Sequence, residues 1–119
     1  MTALSIDPTR IDPTRIDVRA ATSAAGCTIA ISGEVDSSTA PGVRSCLLEV
    51  LARPGTASVE VDLRGVTFLD SAGLSALATA HRAAQAAGRE LLVRCGTTRA
   101  VLRPLQITGL FNVFTVIDS

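Results

Sequence analysis

The stretch FLDSAGLSAL, Phe68 to Leu77, sets Asp70 beside Ser71 with Gly73 two residues further on. A serine next to an acid suggests three kinds of chemistry: nucleophilic attack, helix capping, or reversible phosphorylation. Attack needs an elbow of the form G-x-S-x-G and a base within about 3 Å. Leu69 stands where the first glycine of that motif belongs, and the single histidine, His81, follows on the same predicted helix. At about 1.5 Å per residue it lies roughly 15 Å from Ser71. No catalytic residue is therefore assigned, and the chain is not expected to be an enzyme. Capping suits either Asp70 or Ser71, because each side chain can accept from the orphan N–H groups of the next turn. Phosphorylation is also compatible, since a helix start stabilises negative charge. The turn would lie at the carboxyl end of a buried strand, where open α/β sheets expose their functional groups.

Alternating and helical periodicities predict the elements that carry this turn. Ile16 to Arg19 alternates weakly and Cys27 to Ser32 clearly, predicting a hairpin that opens the sheet. Ser38 or Thr39 then caps a first helix with Pro41 at an early position, where its missing N–H costs nothing. Val43, Leu47, Val50 and Leu51 mark that helix's buried face, and Pro54-Gly55 ends it. Ser58 to Leu63 alternates as a strand whose second face is partly polar, and GVTFLD leads out of it. A second helix runs from Ser71 to Ala87, with Leu74, Leu77, Ala78 and His81 on one stripe and Gly88 as its stop. Glu90 to Cys95 reads as a fully buried strand. A third helix starts at Thr97 or Thr98 and stops at Gly109, with Pro104 predicting a kink or a late start. Phe111 to Ile117 closes the sheet. The order ββαβαβαβ predicts a single α/β domain: a mixed sheet of four to five strands, mostly parallel with an N-terminal hairpin, covered by about three helices.

Composition narrows the function classes. The 119 residues suit one domain, and with 47% apolar but only 3% aromatic residues the core must be aliphatic. Eleven basic residues, all Arg, balance eleven acidic ones, which argues against a general electrostatic grip on nucleic acid or an anionic membrane. Cys27, Cys46 and Cys95 show no C-x-x-C spacing, so reduced core thiols are expected and no metal or cofactor is. No apolar run approaches the roughly 18 residues of a membrane span, and a cytoplasmic protein is expected. The repeat IDPTRIDPTRID, Ile6 to Asp17, predicts a poorly ordered arm over residues 1–15, leaving 16–119 as the domain.

SGEVDSSTAPGVRSCL, VEVDLRGVTFLDSAGLSAL, the G-R-E-L turn and LRPLQITGLFNVF together resemble the STAS domain of bacterial anti-sigma factor antagonists, over about Ile16 to Ser119. The resemblance implies partner switching. Ser71, after the Asp of the D-S-x-G turn, would be phosphorylated by an anti-sigma factor that is itself a serine protein kinase of the GHKL type using ATP. The unphosphorylated form would bind that factor and free a sigma factor, and a PPM-type serine phosphatase would restore it. Asp36 would lie near Ser71 at the same end of the sheet, either as part of the switch surface with Asp70, Ser71, Ala72 and Gly73 or as a local cap. Ala72 departs from the Ser or Thr common there, and the sequence ends at Ser119 where many relatives continue into another helix. Thr67 and Ser75 are secondary candidates for the phosphate. Two other readings are a non-switching STAS scaffold in which Ser71 only caps, and redox control through the three cysteines.

Overall fold

The computed structural model describes residues 2–3, 15–23, 26–54 and 57–117. The repeat over residues 6–14, and most of the expected arm, lie outside them. β1 (Thr2–Ala3) adds a two-residue strand that the sequence does not signal, antiparallel to β2 (Ile16–Ser23). β2 and β3 (Gly26–Val35) form the expected hairpin, in register from Ile16 opposite Gly33 to Ser23 opposite Gly26. Parallel strands follow in order: β4 (Ser58–Leu69), β5 (Glu90–Arg94) and β6 (Thr115–Ile117), giving a sheet ordered β1-β2-β3-β4-β5-β6.

Three crossover helices join the parallel strands: α1 (Ala40–Leu51), α2 (Ser71–Ala86) and α3 (Arg99–Thr108). Each crossover advances in the same direction along the sheet, so right-handed connections place the helices on one face. Burial follows suit. Val59, Val61 and Leu63 of β4 are buried with Ile29 and Ile31 of β3 and Leu91 and Val93 of β5. Between them Glu60, Asp62, Leu92 and Arg94 are half-buried on the opposite face, where Arg94 Nε donates to Glu60 Oε2 at 2.9 Å. β5 is thus buried on one face, not on both as its apolar run predicts.

β4 runs six residues past its predicted end at Leu63, through Leu69. Two register irregularities in its pairing with β3 absorb GVTF into the strand, between Ala30 and Ser32 and between Gly33 and Glu34. Gly65 is required there. A Cβ on it would lie 2.6 Å from Ser32 Cβ, well inside contact distance. The last strand is shorter than predicted. Gly109, at φ 78°, turns the chain out of α3 into a 3-10 turn over Leu110–Asn112, so Phe111 to Phe114 precede β6. Phe114 is buried there, edge-on to His81 with centroids 5.4 Å apart. α3 begins at Arg99 with Pro104 inside it, which removes the late-start alternative.

Candidate functional site

β3 and β4 are parallel neighbours, and Val35 pairs with Leu69, so the residues that follow them, Asp36 and Asp70, emerge side by side at the carboxyl end of the sheet. The Asp70 amide donates to the Val35 carbonyl at 3.3 Å. The two acids predicted for this surface are brought together.

Asp70 is the N-cap of α2. Its Oδ1 accepts from the amides of Ala72 at 2.9 Å and Gly73 at 3.2 Å, leaving no capping task for Ser71. Ser71 is the first residue of the helix, exposed, and its hydroxyl bonds no described residue. Gly73 lets the helix start lie against the strands: a Cβ there would meet Leu69 Cδ1 at 2.5 Å and the Val35 carbonyl oxygen at 3.1 Å. The D-S-x-G spacing therefore holds a cap, a free hydroxyl and a close-packing point in four residues. In this structure Asp70 occupies the Ala72 and Gly73 amides at the helix start that carries Ser71.

Asp36 both caps its turn and holds a cation. Its Oδ1 accepts from the Ser38 amide at 2.9 Å, the Ser38 hydroxyl at 2.8 Å and the Thr39 amide at 3.3 Å. Its Oδ2 accepts from the Arg15 guanidinium, which also contacts Ser38 Oγ and reaches Glu34 Oε1 at 3.1 Å. The Ser38 hydroxyl, then Arg15, hold the Asp36 carboxyl well below the usual carboxylate range. Thr39, the N-cap residue of α1, makes no side-chain cap bond; its buried hydroxyl donates to the Glu34 carbonyl at 2.8 Å and accepts from the Asp36 amide at 2.9 Å. Arg15, read from sequence as the last residue of the arm, is part of this cluster.

A groove of about 420 Å³ opens beside Ser71, between the end of β4, the start of α2 and one face of α3. Phe68, 48% exposed, and Ile107, 72% exposed, line it together with Arg99 and Arg103. None of these four is among the site residues expected from the sequence. The signal was present: Leu69 points inward, so Phe68 must point outward on a strand, and Arg99, Arg103 and Ile107 recur at i, i+4 and i+8 beside the buried Val101 and Leu105. The three cysteines are buried and none forms a disulfide; burial pushes the Cys27 thiol up, away from the reactive thiolate. Among the described residues no helix is long and apolar enough to cross a membrane, and no cluster of His, Cys, Asp and Glu could hold a metal ion.

The STAS domain model matches residues 15–119. An anti-sigma F factor antagonist of Paenibacillus polymyxa is 29% identical over 91 residues, covering 76% of this chain and 77% of that protein. The crystal structure of an anti-sigma factor antagonist from Mycobacterium paratuberculosis superposes with TM-score 0.73 and 28% identity, over 89% of this chain and 88% of that one. The Bacillus cell fate determinant SpoIIAA in its phosphorylated form shares the fold, with TM-score 0.68 and 14% identity over 87% of this chain and 91% of that one. From the matched residues and the shared architecture, this chain belongs to the STAS domain family.

Proposed function

We propose that this protein is an anti-sigma factor antagonist that works by partner switching in the cytoplasm, with Ser71 as its phosphorylation site. The observation that carries the reading is the free, exposed Ser71 hydroxyl next to an Asp70 cap that already satisfies the helix start. A serine relieved of structural duty can be modified without dismantling the fold. The unphosphorylated face, Asp36, Asp70, Ser71, Ala72 and Gly73 with the apolar Phe68 and Ile107 beside them, binds an anti-sigma factor and frees its sigma factor. That anti-sigma factor is a serine protein kinase of the GHKL type. It transfers the γ-phosphoryl group of ATP to Ser71 Oγ: a new P–O bond forms there, the bond to the β-phosphate breaks, ADP leaves, and a base on the kinase takes the hydroxyl proton. A phosphate adds about −1.5 to −2 charges at pH 7 beside Asp70 and Asp36, making the face repulsive and obstructed. A PPM-type phosphatase hydrolyses the ester and restores the binding form. The antagonist supplies no catalytic group.

The scaffold reading gave Ser71 only a capping role, and Asp70 fills that role instead. Intact mass after incubation with ATP and the anti-sigma kinases of the same cell tests the switch, with Ser71→Ala in parallel. One phosphate that disappears in the variant is the expected result. Binding to such a kinase with no phosphate gained would support the scaffold; phosphate on Thr67 or Ser75 would move the site.

A further inference from the structure

We propose that Arg99 and Arg103 of α3 form a cationic clamp that receives the phosphate of Ser71 within the same molecule, drawing it across the groove. This rests on the reading of Ser71 as the phosphorylated residue. Both arginines and Ser71 line one groove, and among the described residues no hydrogen bond or ion pair engages either guanidinium. Arg99 occupies the first position of α3, where the helix dipole disfavours a cation, and no acidic residue in that first turn offsets it. Arg103 follows one turn later on the same side. Two other sources of positive charge near Ser71 are already engaged, the amides of Ala72 and Gly73 by Asp70 and Arg15 by Asp36 and Glu34, while Arg44 lines a second groove, with Ala72 and Ser75, on the α1 side of the helix start. A phosphate on an exposed side chain of the groove meets two unengaged guanidiniums, which bind phosphate oxygens in a bidentate fork. The same contact hides Phe68 and Ile107 and withdraws both cations from any acidic partner surface. Phosphorylation then closes the groove as well as adding charge.

Phosphoserine inserted at position 71 during translation makes the test independent of any kinase. The readout is the midpoint of the phosphate's second ionisation, near 6 for a free phosphoserine, followed by ³¹P NMR in the full chain. Clamping stabilises the dianion and lowers the midpoint. Arg99→Gln with Arg103→Gln is expected to raise it by about half a pH unit or more, and Arg99→Lys with Arg103→Lys to restore most of the lowering. Arg44→Gln, in the groove that Ala72 and Ser75 share with α1, removes a nearby cation outside the clamp and should move the midpoint by much less. A midpoint unmoved by the Arg99 and Arg103 pair, or moved equally by Arg44→Gln, would overturn the clamp. Failure of every kinase to modify Ser71 would instead overturn the switch on which it rests.

Discussion

Asp70 caps α2 and Ser71 is the proposed phosphate acceptor, so substitution should separate the two roles. Asp70→Ala removes two cap bonds and is expected to cost about 0.5–2 kcal/mol in urea unfolding. Ser71→Ala removes a hydroxyl that bonds no described residue and should change stability by less than about 0.5 kcal/mol while abolishing phosphate uptake. A large loss in Ser71→Ala would return the serine to a structural role. Asp36 adds a pH dependence. Its folded pKa lies below the ordinary value near 4, so its charged form contributes stability that is present above about pH 4 and is lost as pH falls through the lower folded value. The stability difference between wild type and Asp36→Asn should therefore be constant from pH 7 to about pH 4 and shrink below it, as followed by urea midpoints. A difference that stays unchanged at pH 3 would mean that the charge of Asp36 does not contribute. Capping at this turn was readable from D-S-x-G, but the choice between Asp70 and Ser71 was not, because it depends on which side chain the strand end aims at the amides.

Helices and the hairpin were readable where periodicity and caps agreed. Val43, Leu47, Val50 and Leu51 are buried on α1 as their spacing predicts, and α2 ends before Gly88. The misses occurred where tertiary contacts decide. β4 extends to Leu69 because β3 offers it a partner through two irregularities, a pairing invisible within either strand alone. The chain after Gly109 folds back through a 3-10 turn so that Phe114 can bury against His81, which shortens a run that reads as strand. Gly65 and Gly73 are the points where elements approach too closely for any side chain. Gly65→Ala and Gly73→Ala should each destabilise by about 1–3 kcal/mol, measured by urea unfolding. Wild-type stability in either variant would mean that the neighbouring strand yields without cost.

The molecule has its helices on one face of the sheet and its proposed switch surface at one end, so a phosphate on Ser71 would not need to disturb the core. The D-S-x-G turn and the GEVD stretch, Gly33 to Asp36, made that end recognisable from sequence, and the pairing of Val35 with Leu69 sets Asp36 and Asp70 at it. Arg15 and the groove wall of Phe68, Arg99, Arg103 and Ile107 were not recognised, because the groove is assembled from two segments, one from Thr67 to Leu74 and one from Arg99 to Thr108, that are far apart in sequence. Exposed apolar groups beside the proposed phosphorylation site suit a partner contact, where a few buried anchors carry most of the affinity. Phe68→Ala is expected to weaken anti-sigma binding by about 1 kcal/mol or more without unfolding the domain. Unchanged affinity would move the contact off the groove. The most direct test is the affinity of the anti-sigma partner for this protein with serine and with phosphoserine at position 71, measured by calorimetry at one ionic strength. Partner switching predicts at least about a tenfold loss on phosphorylation, roughly 1.4 kcal/mol; affinities within about threefold of each other would contradict it.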